Sequence, residues 1–290
     1  MTIPRLSLTD HFATLAPAYD VVFSDVWGVV HNGSAAWPDA CDALTRFRAA
    51  GGTVILLSNA PRPGDRLVAQ LDALNVPREA YDRVVTSGDI TVAEIGKRAG
   101  VPVFHIGPER DHGLFGGLDA PRMELIDEAD YVVISGLFDD ETETPDDYRP
   151  TLEKMLRRHM PMICANPDLV VERGDKLVYC AGAIADLYEK LGGPVMYAGK
   201  PHAPVYDLAH AVAEEMRHAK VDRKRIVAVG DSVRTDLTGA ADAGIDCVFV
   251  TSGIHAEELG HRDSPELEKL ASLFAVSGVH PRAVMQALKW

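Results

Sequence analysis

The stretch FSDVWGVVHNG, Phe23–Gly33, decides the fold prediction, because one aspartate joins an apolar run to a glycine-containing turn. The overlapping segment YDVVFSDV, at 19–26, is rich in β-branched and apolar residues, which favours a buried strand. Asp25 then lies at the carboxyl end of that strand, where open parallel sheets bind their ligands. Trp27, two residues later, is bulky and has no acidic group.

The same order of strand and helix recurs along the chain. The segment WPDACDALTRFRAAGG, 37–52, predicts a helix, since a proline suits its first turn and two glycines end it. TVILLSNA at 53–60, RKRIVAVGDS at 223–232 and DCVFVTSG at 246–253 predict further strands. Near-continuous apolar strands alternating with helices favour a doubly wound, Rossmann-like parallel sheet in an α/β protein.

The middle of the chain has strand-like segments of its own: VPVFHIG at 101–107, YVVISGL at 131–137 and MPMICANPD at 160–168. An acidic stretch and a glycine-rich loop separate them. Residues 101–194 are therefore predicted to form a second α/β unit, inserted into a core made of 1–100 and 195–290. PVMYAGK, at 194–200, is predicted to return the chain to the core.

Composition limits the classes of function. The 290 residues are 47% hydrophobic and 25% charged, typical of a globular protein, and the net charge is −14. No basic run is present that could bind nucleic acid, so we expect no nucleic-acid partner. The four cysteines are scattered and no apolar run could span a bilayer, so we expect no membrane partner and a location in the reducing cytoplasm.

Polar side chains follow four of the predicted core strands: Asp25, Ser58 with Asn59, Lys200, and Asp231 with Asp236. Each position alone has an ordinary structural explanation. A carboxylate or hydroxyl at a strand end is more often a helix cap, and Lys200 alone is compatible with a surface position.

Together the four positions suggest phosphate chemistry. Asp25 and Asp231 can bind Mg²⁺, which prefers one or two carboxylates with water and a substrate phosphate. Lys200 offers a positive charge and Ser58 a hydroxyl for phosphoryl oxygens. Asp25 could then attack phosphorus and form an aspartyl phosphate.

Four motifs carry a resemblance to a known family: DVWGV at 25–29, SN at 58–59, GKP at 199–201 and GDSVRTD at 230–236. This ordered set resembles the haloacid dehalogenase (HAD) superfamily. The long insert and the stretch GKPHAPVYDLA resemble its class IIA branch of phosphatases, which carry a C2-type cap domain. The resemblance covers nearly the whole chain and implies a HAD core with an inserted α/β cap.

The resemblance also implies roles for the metal site and the nucleophile. Asp25 would be the nucleophile and a Mg²⁺ ligand. The backbone carbonyl of Trp27 and the carboxylate of Asp231 would be further ligands. Asp236 would support the metal site or orient Lys200.

The substrate positions follow in the same way. Ser58, Asn59 and Lys200 would hold the phosphate. Within ANPD at 165–168, Asn166 and Asp168 would face the substrate, although a turn formed by Asn-Pro-Asp is an equally good interpretation. The substrate would be a small phosphorylated metabolite, of sugar- or cofactor-phosphate type. The resemblance also suggests a homodimer, for which the sequence has no independent signal.

Trp27 departs from the family pattern, because phosphatases of this superfamily carry a second aspartate two residues after the nucleophile. A positioned acid or base contributes about 10²–10⁴-fold to the rate. Three interpretations remain open: a phosphatase that uses another acid or base, with His31 as the nearest candidate; a phosphatase limited to leaving groups that need little protonation; or an inactive domain that binds a phosphorylated ligand in a regulatory role.

Overall fold

The structure is a computed structural model that describes residues 7–173, 176–260 and 265–290. Its strands are β1 Val21–Ser24, β2 Thr53–Ser58, β3 Arg83–Thr86, β4 Val103–Ile106, β5 Arg122–Met123, β6 Tyr131–Ile134, β7 Met162–Cys164, β8 Val170–Arg173, β9 Lys176–Tyr179, β10 Val195–Tyr197, β11 Ile226–Gly230, β12 Asp246–Val250 and β13 Ala283–Met285. Its α-helices are α1 Pro38–Ala49, α2 Gly64–Ala73, α3 Ser87–Gly96, α4 Arg149–Arg157, α5 Ala181–Lys190, α6 Ala203–Arg217, α7 Thr238–Ala243 and α8 Leu267–Ser277.

The first of two compact units contains the described residues up to Ser58, Val68–Val85, and those from Tyr206 onward. Its sheet has the order β13-β12-β11-β1-β2-β3, and β1 pairs in parallel with both β11 and β2. Every residue of β1, β2 and β11 is buried, as the uninterrupted apolar runs predicted. The predicted α/β fold with a parallel sheet is confirmed.

The second unit contains Asn59–Leu67 and Thr86–Val205. Its parallel sheet has the order β10-β7-β6-β4-β5, and β8 and β9 form a separate antiparallel hairpin. The largest fully buried side chains in this unit include Tyr131 on β6 and Tyr188 on α5. A second hydrophobic core therefore forms within the inserted part of the chain.

One strand lies in a different sheet from the one that the sequence predicted. PVMYAGK was expected to return the chain to the core, but its strand β10 pairs in parallel with β7 in the second sheet. The compact second unit accordingly extends to Val205, beyond the predicted boundary at 194. The reason is physical: a short apolar run specifies burial in a sheet but not which sheet.

All four cysteines are buried and free of disulfides. Among the described residues, no helix has the length and apolar character needed to cross a membrane.

Candidate active site

Two aspartates lie at the carboxyl ends of neighbouring strands in the first unit. Asp25 directly follows β1, and its N–H donates to the carbonyl of Val229 at 2.8 Å, continuing the ladder with β11. Asp231 directly follows β11. Because the two strands are parallel and adjacent, both carboxylates emerge at the same edge of the sheet.

A third carboxylate joins them. Asp236 lies in a single π-helical turn, Val233–Leu237, whose entry is capped by the Ser232 side chain accepting from the Thr235 N–H at 3.3 Å. Asp236 in turn accepts from the Ser232 N–H at 3.2 Å. One oxygen each from Asp25, Asp231 and Asp236 lie within 4.8 Å of one another. We call these three residues the aspartate cluster.

The backbone of two glycines, Gly28 and Gly253, lies directly against the side chain of Asp231. A Cβ added at Gly28 or at Gly253 would overlap the Asp231 carboxylate, and Gly28 has a φ of +85°, which disfavours any other residue. The neighbouring Ile254 N–H donates to Asp231 Oδ2 at 2.8 Å. Asp231 is therefore fixed by backbone that only glycine permits, and the sequence alone gave no sign of these contacts.

The aspartate cluster suits a hard divalent cation. Asp231 and Asp236 are both buried, so three carboxylates gathered here repel each other in a medium less polar than water. A bound cation offsets this repulsion, and carboxylate oxygens are the ligands that Mg²⁺ and Ca²⁺ prefer. The donor set therefore fits a metal site of the kind that the sequence predicted, and Asp25, Asp231 and Asp236 are the residues able to hold the ion.

Ser58 ends β2, the neighbour of β1 on its other side, and is buried. It belongs to the same sheet edge as Asp25, two residues beyond Leu56, which is paired with Ser24. A hydroxyl is thus placed at the edge where the aspartate cluster lies.

The loop after Asp25 folds back on itself around Trp27. The Gly28 N–H donates to the His31 carbonyl at 2.8 Å, and the His31 N–H donates to the Val26 carbonyl at 3.1 Å. The rings of Trp27 and His31 meet edge to face, with centroids 5.2 Å apart. A Cβ at Gly33 would overlap the indole, so this side of the Trp27 ring lies directly on backbone.

His31 is buried inside this loop. It is only 1% exposed, and burial lowers its pKa to about 4, so the ring is neutral at pH 7. Its Nδ1 accepts from the Gly33 N–H at 2.9 Å, which leaves the proton on Nε2. The imidazolium form is disfavoured and Nδ1 is engaged in the turn, and the catalytic role of His31 stays a prediction.

In the second unit, Asn59 holds the backbone at Lys200. Asn59 Oδ1 accepts from the Lys200 N–H at 2.7 Å, and Nδ2 donates to the Lys200 carbonyl at 3.1 Å and to Asp168 Oδ1 at 2.8 Å. Asn59 and Lys200 are both buried. We call Asn59, Asp168 and Lys200 the asparagine cluster. Both amide protons of Asn59 are used in these contacts, which position the Lys200 segment, and the phosphate contact of Asn59 stays a prediction.

The segment ANPD forms a turn. Asn166 Oδ1 accepts from the Asp168 N–H at 3.1 Å, and Asp168 receives the Asn59 amide. These contacts support the turn interpretation, and the substrate contacts of Asn166 and Asp168 stay predictions. A Cβ at Gly199 would overlap Asn59 Oδ1, so the glycine before Lys200 also serves this packing.

Arg62 has a partner that the sequence did not reveal. Its Nε donates to Asp111 Oδ1 at 3.3 Å, and burial raises the pKa of this carboxyl. The side chain of Arg62 remains 38% exposed while that of Asp111 is 3% exposed. The pair comes from distant parts of the sequence, so no local pattern could have predicted it.

Comparisons with known proteins agree with this architecture. A family described as haloacid dehalogenase-like hydrolase matches residues 22–119, and a second, described as HAD-hydrolase-like, matches residues 197–273. The first match contains Asp25 and Ser58, and the second contains Lys200, Asp231 and Asp236.

Individual proteins extend the likeness over most of the chain. The crystal structure of a haloacid dehalogenase-like family hydrolase from Brucella suis 1330 is 45% identical, covers 97% of this chain and 100% of that one, and has a TM-score of 0.86. An acid sugar phosphatase from Staphylococcus haemolyticus is 25% identical over 71% of this chain and 75% of its own.

A third likeness concerns the fold alone. The glycerol phosphate phosphatase from Mycobacterium tuberculosis, solved in complex with magnesium, is 21% identical, with a TM-score of 0.63 over 85% of this chain and 70% of that one. A Rossmann-like α/β core carrying an aspartate cluster defines the class, and this chain belongs to the haloacid dehalogenase-like hydrolases. The family predicted from the four motifs is confirmed.

Proposed function

We propose that the protein is a magnesium-dependent phosphoric monoester hydrolase that acts on a small phosphorylated metabolite through an aspartyl phosphate on Asp25. The observation that carries this proposal is the aspartate cluster, in which oxygens of Asp25, Asp231 and Asp236 lie within 4.8 Å of one another. Asp25 comes from one part of the sequence, and Asp231 and Asp236 come from another. Their mutual repulsion at this sheet edge is costly, and a bound cation would offset it.

Asp25 is the member of the cluster suited to attack. It lies at the first turn after β1, and its backbone is fixed by the hydrogen bond to Val229 at 2.8 Å. A carboxylate held in this way can approach phosphorus without reorganising the strand. Asp231 is instead held by the Ile254 N–H, and Asp236 by the Ser232 N–H, which suits them to holding the ion.

The proposed metal ion is Mg²⁺. Asp25, Asp231, the carbonyl of Trp27 and Asp236 would hold or support it. When bound, it would offset the negative charge of the carboxylates and of the phosphate.

Ser58 and Lys200 are proposed to bind phosphoryl oxygens. Ser58 offers a hydroxyl at the sheet edge that carries Asp25, and Lys200 offers a point charge. Asn59 binds the buried backbone of Lys200 through two hydrogen bonds. These bonds support the proposal that Lys200 has a fixed position.

The substrate is proposed to be a small phosphorylated metabolite such as a sugar phosphate. The relative named as an acid sugar phosphatase supports this choice. The net charge of −14 supports neither nucleic acid nor an anionic membrane as a partner. A cytoplasmic location and a homodimer stay predictions.

The test is phosphate release by the purified protein with Mg²⁺, from p-nitrophenyl phosphate and a panel of sugar and cofactor phosphates. The matched control is Asp25→Asn, which keeps the size of the side chain but removes the attacking charge. Release that needs Mg²⁺ and Asp25 supports the proposal. Tight phosphate binding without release from any compound would instead show a regulatory ligand-binding domain. Release that survives Asp25→Asn would come from another site.

A further inference from the structure

Trp27, two residues after Asp25, packs against other residues of its own loop. Trp27 meets the ring of His31 edge to face at 5.2 Å, and on its other side it lies against Gly33. No other residue could replace Gly33 without moving the indole, and Gly33 also has a φ of +86°. Trp27 and Gly33 therefore pack directly against each other, and an aromatic side chain occupies this position in the folded loop.

The rest of the loop, from 26 to 33, has no exposed titratable side chain. Between Asp25 and Gly33 the only other titratable side chain is His31. It is buried, and its Nδ1 is occupied by the Gly33 N–H at 2.9 Å. The Nε2 of the neutral ring has no hydrogen-bond partner among the described residues and is itself buried. Because the ring and its Nε2 are buried inside the loop, His31 is not placed to reach the leaving oxygen of a substrate.

We propose that the leaving group departs from this site as an anion, so that the preferred substrates are phosphate esters of acidic hydroxyls and acyl phosphates rather than esters of ordinary alcohols. The inference rests on the proposed function and narrows its substrate class. It assigns to Trp27 the role of a specificity-determining residue.

The bond changes balance without a proton from the protein. The Asp25 carboxylate oxygen forms a bond to phosphorus, and the bond from phosphorus to the leaving oxygen breaks with its electron pair moving to that oxygen. The leaving group takes a proton later, from solvent. Water then forms a bond to phosphorus, the bond to Asp25 breaks, and the carboxylate leaves as an anion. The proton of the water passes to solvent or to a phosphate oxygen.

The consequence is a ranking of substrates by the acidity of the leaving oxygen. Acyl and enol phosphates and aryl phosphates need no protonation, so the missing acid costs them little. Alkyl phosphates lose the contribution of a positioned acid, about 10²–10⁴-fold in rate. Among sugar phosphates, an anomeric 1-phosphate should react faster than the 6-phosphate of the same sugar, because a hemiacetal hydroxyl is the more acidic.

The experiment is a linear free-energy plot. kcat/KM is measured with the whole protein and Mg²⁺ for a series of substituted phenyl phosphates and for alkyl phosphates of similar size. We expect log kcat/KM to fall steadily as the leaving group becomes less acidic, with alkyl phosphates about 10²–10⁴-fold below phenyl phosphates. A flat plot, with alkyl and phenyl phosphates within about threefold of each other, would overturn the inference while leaving the proposed function intact.

Two variants test the assignment to position 27. Trp27→Asp supplies a carboxyl group and should raise kcat/KM for alkyl phosphates by at least about tenfold, which flattens the plot. Trp27→Phe keeps an aromatic ring without an acid and should keep the steep slope. A folded Trp27→Asp protein whose slope equals that of the native protein would overturn the assignment. If this variant does not fold, the slope of the native protein decides.

Failure of the proposed function has a different signature. If no member of either series releases phosphate and no phosphorylated protein forms, both the proposed function and the inference are overturned. If the substrates of both series release phosphate at rates that do not depend on the leaving group, the inference is overturned and the proposed function stands.

Discussion

The aspartate cluster of the first unit and the asparagine cluster of the second are both built largely from buried polar groups, but in opposite ways. The aspartate cluster brings three like charges within 4.8 Å, an arrangement that a cation would stabilise. In the asparagine cluster, the Asn59 amide matches donors to acceptors at Lys200 and Asp168 within 3.1 Å. Gathered like charges indicate a ligand site, whereas a saturated amide indicates a group that holds other groups in place.

The largest expected effect concerns the aspartate cluster. Asp25→Asn should reduce phosphate release roughly 10⁴-fold or more, the scale on which removal of a nucleophile acts. The amide is nearly the same size, so the free energy of unfolding should not fall in parallel. Phosphate release and urea unfolding, measured on the same preparation, check this. Equal activity of the two proteins would remove Asp25 from the chemistry.

A substitution in the asparagine cluster should lower stability more than activity. Asn59→Ala removes one acceptor and two donors from the buried Lys200 backbone and the half-buried Asp168 carboxylate, so the free energy of unfolding should fall by roughly 2–4 kcal/mol. Urea unfolding measures this change.

A control for Asn59 is available in Asn32, whose exposed Oδ1 accepts from the N–H groups of Ser34 and Ala35 at 3.0 and 2.9 Å. Asn32→Ala should cost less than about 1 kcal/mol, since water replaces the lost bonds. If Asn59→Ala raised KM for the phosphate substrate and left stability unchanged, Asn59 would be a ligand-binding residue after all.

The buried histidines add a pH dependence to stability. Burial lowers the pKa of His31 to about 4, and burial together with the charges of His112 and Arg122 does the same to His105. The unfolded chain takes up protons near pH 6.5 and the folded protein near pH 4, so stability is full above pH 6.5 and is lost as the pH falls towards 4.

Between pH 7 and pH 5, each of these histidines should cost about 2 kcal/mol of unfolding free energy. His31 and His105 should contribute equally to the loss of unfolding free energy between pH 7 and pH 5. His31→Gln should therefore remove about half of their joint contribution, whatever the stability of this variant at pH 7. Denaturant unfolding at both pH values measures it. A loss that is unchanged in His31→Gln would mean that the pKa of His31 in the folded protein stays near its ordinary value, as a catalytic acid or base would need.

The smallest expected effect separates backbone strain from contact with Asp231, the proposed metal ligand. Gly28 and Gly51 both have positive φ, +85° and +93°, but only a Cβ at Gly28 would meet Asp231, while one at Gly51 would meet nothing within 4 Å. Gly28→Ala and Gly51→Ala should each cost about 1–2 kcal/mol of stability from strain.

Only Gly28→Ala should weaken Mg²⁺ binding as well, because it displaces Asp231. The increase in melting temperature on adding Mg²⁺ to each variant checks this. An equal increase for both variants would show that Asp231 is not a ligand, or that it moves without cost.

The parts of the fold that the sequence predicted are those with strong local patterns. The apolar runs of β1, β2 and β11 are buried at every residue, and such runs have few alternatives to a parallel sheet. The β8-β9 hairpin was missed because its apolar residues do not mark a regular buried face: Val178 is buried, but its neighbours Leu177 and Tyr179 are exposed. β10 was predicted as a strand but assigned to the wrong sheet.

The candidate site was predictable to the same extent. Asp25, Ser58 and Asp231 were found because the carboxyl ends of adjacent parallel strands converge. The environment of each side chain could not be predicted from the sequence. The burial of His31, the close approach of Gly253 to Asp231 and the hold of Asn59 on Lys200 all depend on residues distant in sequence or on a loop closing over itself.

The central claim, that Asp25 is a nucleophile beside a cation site, is tested most directly by trapping the phosphorylated protein. The whole protein is mixed with Mg²⁺ and an aryl phosphate, quenched in acid within one turnover, reduced with borohydride and mapped by mass spectrometry. We expect reduction of an acyl phosphate at Asp25 alone, absent without Mg²⁺. Phosphate release with an unmodified Asp25, or with the modification at another acid, would contradict the account.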